Sequence, residues 1–233
     1  MDIPPGTTSG PDRTSLPQEG STGDRLDAVL VQRWVHELDR RLRASEVRLT
    51  ELDAAIGDAD HGANMTRGAR AAAARLADEP GSSAAQLVAA VGHTFSRSVG
   101  GASGPLYGTW FSALGRTLPG DHDADATELA AALVAALGAV QHLGAAERGD
   151  KTMVDALAPA ADRALAAARA GADLAGTLRM AVGAAEDGAL ATVPLRARRG
   201  RASYLGARSE GHQDPGATSA AIVLDALRQA AGA

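Results

Sequence analysis

The stretch LDAVLVQRWVHELDRRL, residues 26–42, decides the fold class of this chain. Its large apolar residues recur at every fourth position, at Leu26, Leu30, Trp34, Leu38 and Leu42. This spacing places them on one face of an α-helix, whereas a half-buried strand would alternate at every second position. The segment therefore predicts an amphipathic helix that buries this face.

Similar helical patterns follow along the chain. Ser83–Gln86 and Asp125–Glu128 have the sequence of a capping box, which predicts two helix N-termini. No segment alternates apolar and polar residues with β-branched side chains, so we expect an all-α fold. Besides the two capped helices, the pattern predicts helices at about residues 24–42, 45–56, 64–76, 106–118, 152–170, 173–190 and 218–231.

Two further predictions concern the 45–56 and 152–170 helices. Val47, Leu52 and Ile56 are expected along one apolar side of the 45–56 helix. Pro159 is expected to kink the 152–170 helix or to mark a break near its start, because proline lacks the backbone N–H that a helix interior uses.

Composition narrows the class of protein. The net charge is −5, which argues against a general nucleic-acid partner. The absence of cysteine excludes disulfides and thiolate metal sites, and it fits a cytoplasmic location. The longest apolar run, residues 129–140, is shorter than the roughly 20 residues of a membrane span, so it predicts a core helix and no membrane partner. Residues 1–22 are polar and rich in glycine and proline, which predicts a disordered tail before a single helical domain over 23–233.

The densest polar cluster lies at residues 53–64. Asp53 falls in the last predicted turn of a helix, and Asp58 and Asp60 follow in a loop. Three converging carboxylates would repel one another unless a cation sits between them, and Mg²⁺ prefers such oxygen ligands. A solvated acidic turn is the alternative interpretation of the same residues.

Four polar loops, at residues 57–63, 100–104, 144–151 and 192–216, each precede a predicted helix. Helix N-termini expose free N–H groups that suit phosphate, and alternate loops of an up-and-down bundle share one end. The 144–152 segment is not a Walker A loop, because it has one residue too many before the lysine and no preceding strand.

Other features of these loops have two interpretations. Gly100–Gly104 is either a tight turn or a place where bare backbone approaches a ligand. The arginines of 196–201 form either a solvated patch or an RNA contact, and the acidic net charge weakens the second reading. Lys151 is the only lysine in the chain, which reflects either codon usage or one position that tolerates lysine better than arginine.

Five motifs, in this order, closely resemble the L subunit of dihydroxyacetone kinase. They are DAAIGDADHGANM (53–65), GGASGPLYG (100–108), GDKTM (149–153), GRASYLGARS (200–209) and GHQDPGATS (211–219). The resemblance covers the chain from about Asp24 onward. Ala207 and Arg148 depart from the residues common in the family, and neither matches a ligand position.

The resemblance implies a barrel of eight antiparallel α-helices with a nucleotide site at one end. Asp53, Asp58 and Asp60 match the family's Mg²⁺ ligands, and two Mg²⁺ ions are expected with ADP or ATP. Arg201 is a candidate for stabilising phosphate charge. The positions that match the family's nucleotide-binding residues are His61, Gly62, Ala63, Asn64, Ala102, Ser103, Gly144, Met153, Arg201, Asp214, Pro215 and Gly216.

The resemblance also implies partners. A separate K subunit holds dihydroxyacetone, and the wording of the motifs and the lack of a K domain favour the branch in which a phosphotransferase-system M subunit recharges bound ADP. The sequence leaves a homodimer open. Two rival functions are a kinase subunit for another triose or sugar and a nucleotide-sensing module without catalysis.

Overall fold

The computed structural model describes residues 24–79 and 81–233, so the expected tail at 1–22 lies outside the described residues. Within the described residues the chain forms eight α-helices and one 3-10 helix, with no strand. The α-helices are α1 (Ala28–Ile56), α2 (His61–Ala77), α3 (Ala84–Ser98), α4 (Ser103–Thr117), α5 (Ala126–Gly144), α6 (Val154–Arg169), α7 (Leu174–Ala191) and α8 (Pro215–Ala230), and the 3-10 helix is Arg201–Ser209.

The eight α-helices form a closed ring. Each packs against the next along the chain, and α8 packs against α1. Short connections from α1 through α7, and the longer 192–214 segment before α8, join successive antiparallel helices. The even-numbered helices therefore begin at the end where the odd-numbered ones finish. The all-α class and the barrel of eight antiparallel helices are thereby confirmed.

A small aromatic cluster lies at the centre of the core, although aromatic residues make up only 3% of the chain. Trp34 on α1 packs edge-on against Trp110 on α4, with ring centroids 6.4 Å apart, and lies 5.5 Å from Phe111. The Trp34 indole N–H donates to the Val223 carbonyl on α8 at 2.9 Å. This buried bond joins the first and last helices of the ring, and leucine, valine and alanine fill the space around it.

The helix predicted from residues 129–140 is confirmed as a core helix. By length and composition, α5 is the one described helix that could cross a membrane. However, Leu129, Leu133, Leu137 and Val140 are buried, and α5 packs between α4 and α6. Its apolar face is therefore used inside the barrel.

Two predictions about α1 and one of the two alternatives for α6 are wrong in detail. The break expected between residues 42 and 45 is absent, because no proline or glycine interrupts that stretch and Ser45 is tolerated inside a helix. Val47 is 70% exposed, since the buried face continues through Leu49 and Asp53 instead. Of the two outcomes expected at Pro159, the break is absent because Pro159 lies inside α6 without ending it, and the kink stays a prediction.

The polar stretch 192–216 was predicted as a loop, but residues 201–209 form 3-10 helical turns that are interrupted by a kink at Gly206. The helices after three of the polar loops also begin earlier than predicted, at His61, Ser103 and Pro215. Apolar periodicity starts only where a helix reaches the core, so it misses first turns that carry polar or small residues. The capping boxes at Ser83 and Asp125 are confirmed.

Glycines allow α3 and α4 to touch backbone to backbone. A Cβ at Gly92 would lie 2.6 Å from the Ser112 amide nitrogen and 2.8 Å from the Gly108 carbonyl oxygen. Real Cβ atoms do not approach backbone that closely, so the helix spacing here requires a residue with no side chain.

We expect Gly92→Ala to lower the free energy of unfolding. Alanine gains about 1 kcal/mol of helix propensity over glycine, but forcing a methyl group between two backbones costs about 1–3 kcal/mol and also widens the packed pair. Urea denaturation followed by circular dichroism measures the difference.

Gly138→Ala on α5 is the matched control. Nothing lies within 4 Å of a Cβ built there, so the same substitution should leave stability unchanged or raise it by up to about 1 kcal/mol. Equal stabilisation by both substitutions would contradict the close contact of α3 and α4.

Candidate functional site

A cavity of about 420 Å³ opens at the end of the barrel where the even-numbered helices begin. All four polar loops singled out in the sequence contribute to its wall. Every sequence-predicted site residue except Gly62, Ala63 and Asn64 lines it: Asp53, Asp58, Asp60, His61, Ala102, Ser103, Gly144, Met153, Arg201, Asp214, Pro215 and Gly216.

Three carboxylates converge at this cavity. One oxygen from each of Asp53, Asp58 and Asp60 lies within 4.8 Å of those of the other two. Asp53 is 8% exposed, whereas the other two face solvent. Such a group of oxygen donors suits a hard divalent cation such as Mg²⁺.

The local backbone explains why the carboxylates meet. Asp53 lies in the last turn of α1, and one of its carboxylate oxygens accepts the backbone N–H groups of Asp60 at 2.9 Å and His61 at 3.1 Å. Ala59 takes the left-handed conformation, with φ of 62°. The loop is thus folded back onto the helix that precedes it, and Asp53 caps the start of α2.

Gly57 leaves room for this arrangement. A Cβ at position 57 would overlap the other carboxylate oxygen of Asp53. The absence of a side chain at the end of α1 is therefore a requirement of the carboxylate cluster as well as of the turn.

Arg201 reaches the cluster from the opposite wall. Its guanidinium lies 2.7 Å from the Asp58 carboxylate. The residue begins the 3-10 helix directly after Gly200, whose φ of 63° turns the chain toward the cavity. An arginine and three carboxylates thus share one end of the cavity, where both a cation and phosphate oxygens would find partners.

The helix N-termini differ between the two ends of the barrel. At the far end α1, α3, α5 and α7 each begin with a side-chain cap, from Asp27, Ser83, Asp125 and Asp173. At the cavity end the residues preceding α2, α4 and α6 make no side-chain cap. For α2, Asp53 supplies the missing acceptor. The start of α4, beside Gly100–Ser103, keeps N–H groups that can bind an anion.

The His61 side chain joins three helix N-termini. Its Nδ1 lies 3.1 Å from the Ser103 hydroxyl on α4, and its Nε2 lies 2.8 Å from the Ser219 hydroxyl on α8. The Tyr107 hydroxyl continues the chain at 2.6 Å from Ser219. Burial lowers the pKa of His61, against the opposing effect of Asp53 and Asp60, and burial raises the pKa of Tyr107.

Asp214 is a buried acid at the start of α8. Its carboxylate accepts the Ala217 backbone N–H at 2.7 Å and so caps the helix. Burial raises the pKa of Asp214 to about 7, although the Ala217 N–H and the charge of Lys151 oppose this shift. Asp214 therefore both caps α8 and lines the cavity.

One wall of the cavity is apolar. It includes Met153, which the sequence singled out, together with Leu106, Val140 and Leu143, which it did not. Leu143 is half exposed at the rim, whereas Val140 is buried. Such a wall suits the flat face of an organic ring. Part of this wall lies in the last turn of the apolar 129–140 run, which ends at Val140. Apolar periodicity does not show, however, which end of a helix lines a site.

The three predicted residues outside the cavity wall lie in the first turn of α2. Gly62 packs on the α1 backbone, where a Cβ would overlap the Glu46 carbonyl oxygen. The side-chain oxygen of Asn64 accepts a hydrogen bond from the Arg67 guanidinium. Gly62 thus allows α2 to pack closely on α1, whereas the bond between Asn64 and Arg67 lies within α2 and Ala63 is exposed.

Comparisons with known proteins agree with this architecture. The chain is 40% identical to the ADP-binding subunit DhaL of PEP-dependent dihydroxyacetone kinase 2 from Listeria innocua, over 87% of this chain and 94% of that protein. It is 36% identical to L-erythrulose 1-kinase from Mycolicibacterium smegmatis, over 95% of this chain but 38% of that protein.

A solved structure shows the same fold. The crystal structure of the dihydroxyacetone kinase from C. freundii in complex with AMP-PNP and Mg²⁺ superposes with a TM-score of 0.66 at 28% identity, over 97% of this chain and 38% of that one. Residues 55–229 match the DAK2 domain. The chain therefore belongs to the DAK2 domain family.

Proposed function

We propose that this chain is the nucleotide-binding, phosphoryl-donor subunit of a dihydroxyacetone kinase. The observation that carries the proposal is the convergence of the three carboxylate oxygens of Asp53, Asp58 and Asp60 within 4.8 Å, beside Arg201, in a cavity at the ends of helices. Phosphoryl transfer depends mainly on positioning and on neutralising phosphate charge, and this end of the barrel offers donors and acceptors for both.

Asp53, Asp58 and Asp60 would hold Mg²⁺, two ions of which are expected with the nucleotide. When bound, Mg²⁺ neutralises charge on the phosphate oxygens and orients them. The fit is supported by the donor set, since all three groups are carboxylates, and by Asp53, which the Asp60 and His61 amides fix in place. The convergence of these negative charges is unfavourable by itself, which favours a cation between them.

The remaining walls would bind the rest of the nucleotide. Phosphate oxygens would accept hydrogen bonds from the Arg201 guanidinium and from backbone N–H groups at Ala102 and Ser103, where α4 lacks a side-chain cap. The adenine would pack on Met153 and the apolar wall of Leu106, Val140 and Leu143. Docking of a K subunit over the cavity would bring the acceptor hydroxyl to the γ-phosphate and exclude water.

The source of the phosphate is the next element of the proposal. The chain is 40% identical to the ADP-binding subunit of the PEP-dependent kinase and 36% identical to L-erythrulose 1-kinase. The higher identity to the PEP-dependent relative supports the branch in which a phosphotransferase-system M subunit rephosphorylates bound ADP, in the cytoplasm. A homodimer is compatible with the proposal but is not required, because one cavity contains all of the residues named above.

A second candidate differs only in the acceptor. The 36% identity with L-erythrulose 1-kinase makes a kinase for another short ketose the main alternative. The K subunit would choose between the acceptors, because the described cavity holds the nucleotide and not the sugar.

Reconstitution tests the function. The purified chain, loaded with ADP and Mg²⁺, should take up phosphate from phosphoenolpyruvate only when an M subunit and the general phosphotransferase proteins are added. It should pass that phosphate to dihydroxyacetone only when a K subunit is present. Faster transfer to erythrulose would favour the second candidate, and bound nucleotide that never turns over would contradict both and favour a nucleotide sensor.

We expect Asp58→Asn to weaken Mg²⁺-dependent retention of ADP strongly. The amide keeps the size of the side chain but removes the charge that a cation needs. Replacing a residue that only supports a metal ligand already costs about ten- to a hundredfold in metal affinity, so the loss of a ligand should cost at least as much. Isothermal titration calorimetry with ADP and Mg²⁺ should therefore show affinity that is weaker by roughly a hundredfold, with unchanged circular dichroism.

Asp162→Asn is the control for that change. Asp162 is an exposed carboxylate that also pairs with an arginine, Arg148, at 2.5 Å, but it lies outside the cavity. It should bind ADP like the unmodified chain. Full retention of ADP by Asp58→Asn would show that Asp58 is not a metal ligand.

We expect Gly57→Ala to weaken Mg²⁺ binding without touching any ligand directly. The new methyl group would displace the Asp53 carboxylate, and a loss of roughly tenfold in Mg²⁺ affinity is expected for a misplaced ligand. Gly120→Ala, at a position with open space around it, should leave the affinity unchanged. Equal affinities for the two variants would contradict the placement of Asp53.

A further inference from the structure

Lys151 is the only lysine among the 23 lysine and arginine residues of the chain. Codon usage can explain the preference for arginine elsewhere, but it does not explain why one position keeps lysine. The environment of Lys151 supplies a physical reason, and neither the metal cluster nor the apolar wall accounts for it.

The Lys151 side chain is 1% exposed and ends among backbone carbonyl groups. Its Nζ donates to the Thr192 carbonyl at 2.7 Å and to the His212 carbonyl, with the Val193 carbonyl at 3.5 Å. An ammonium group has three donors on one compact atom, which suits three carbonyls converging on a point. A planar guanidinium is larger and directs its donors in a fork, so arginine does not fit this site.

The three carbonyls belong to the two ends of one segment. Thr192 and Val193 lead into the 192–212 stretch, and His212 leads out of it. The Gly211 N–H also donates to the Val193 carbonyl at 2.8 Å, and the Asp214 N–H donates to the Thr192 hydroxyl at 2.9 Å. The stretch is therefore an excursion of the chain whose two ends are tied together at a buried neck, with Lys151 at its centre.

The excursion carries the arginine that faces the carboxylate cluster. Beyond the neck, its contacts with the rest of the cavity wall include the Arg198 N–H to the Asp150 carbonyl at 3.0 Å and the Arg199 side chain to the Asp150 carboxylate at 3.2 Å. Arg201 follows, 2.7 Å from Asp58. Arg201 thus lies in a segment whose ends meet at the neck and which also contacts Asp150 through the residues two and three positions before Arg201.

We propose that Lys151 is a positioning residue, whose buried ammonium closes the neck of the 192–212 segment and thereby holds Arg201 over the Asp53–Asp58–Asp60 cluster. The hydrogen bonds made by Lys151, Gly211 and Asp214 are by themselves the support for the closure of the neck. Its effect on nucleotide binding rests on the proposed function, since it acts through Arg201.

The rate of trypsin cleavage tests the closure of the neck in the absence of nucleotide. The segment contains Arg196, Arg198, Arg199, Arg201 and Arg208, each followed by a bond that trypsin can cut. Cleavage of a folded protein follows the population of the locally open form. Lys151→Met, which keeps the length of the side chain but not its donors, should be cut within the segment at least roughly tenfold faster, and equal rates would overturn the proposal.

Chemical rescue separates the ammonium group from side-chain size. The chain has no cysteine, so Lys151→Cys can be alkylated at one position while unfolded and then refolded. 2-Bromoethylamine recreates a lysine-like ammonium and should restore resistance to trypsin, whereas iodoacetamide leaves a neutral group and should not. Equal resistance of the two products would overturn the role of the charge, and this pair remains informative even if Lys151→Met fails to fold.

A double-mutant cycle tests the connection to Arg201. Lys151→Met, Arg201→Ala and the double variant are compared by the affinity for ADP with Mg²⁺. We expect Arg201→Ala to weaken binding roughly tenfold in the unmodified chain, since charge-assisted bonds to phosphate are strong, and less than about threefold when Lys151 is already replaced.

The outcomes of the cycle are distinct. Effects that simply add would mean that Lys151 stabilises the fold without positioning Arg201, which overturns the proposal. An Arg201→Ala variant with full affinity would contradict the proposed function of Arg201 instead, and the trypsin and alkylation results would then decide the closure of the neck by themselves.

Discussion

The structure depends on holding three negative charges close together at the open end of a helical barrel. Asp53, Asp58 and Asp60 place one oxygen each within 4.8 Å of the others, although carboxylates repel at that distance. Two backbone amides offset part of the repulsion by binding Asp53, and Arg201 offsets part of it by pairing with Asp58. The negative charge that remains is the physical basis of the proposal that a divalent cation and a polyphosphate bind at this cluster.

The two ends of the barrel differ in the contacts that hold their helix N-termini. At the far end, side chains cap the odd-numbered helices and complete their backbone hydrogen bonds. At the cavity end, Asp214 caps α8, but the residues preceding α2, α4 and α6 provide no side-chain cap. Buried long-range contacts add to the hold on this end: Asp53 accepts backbone N–H groups at the start of α2, His61 links Ser103 to Ser219, and Lys151 donates to carbonyls at both ends of the 192–212 segment. The cavity end is thus held by long-range polar contacts, while the aromatic cluster around Trp34 holds the middle.

Much of the fold could be predicted from local patterns, because apolar periodicity and capping boxes are local. The pattern from Leu26 to Leu42 gave the correct class, and Ser83 and Asp125 marked helix starts correctly. The break expected before Ser45 was wrong, since a serine disfavours a helix too weakly to end one that packs along its length. The first turns at His61, Ser103 and Pro215 were missed because they carry site residues and little apolar surface. The cavity end was predictable in outline from its polar loops and from the family resemblance, but not in its contacts. The partners of Lys151 are backbone carbonyls 41 to 61 residues away, which no spacing reveals. The wall made by Leu106 and Leu143 looks like ordinary core in the sequence.

The most direct test of the central claim is the position of a bound metal. A crystal structure of the chain grown with ADP and Mn²⁺, which substitutes for Mg²⁺ and scatters anomalously, locates each ion independently of the surrounding density. We predict anomalous peaks within about 2.0–2.3 Å of oxygens from Asp53, Asp58 and Asp60, with the nucleotide phosphates on the opposite side of the metal. Phosphates bound in the cavity with the three carboxylates turned apart and no metal between them would contradict the account.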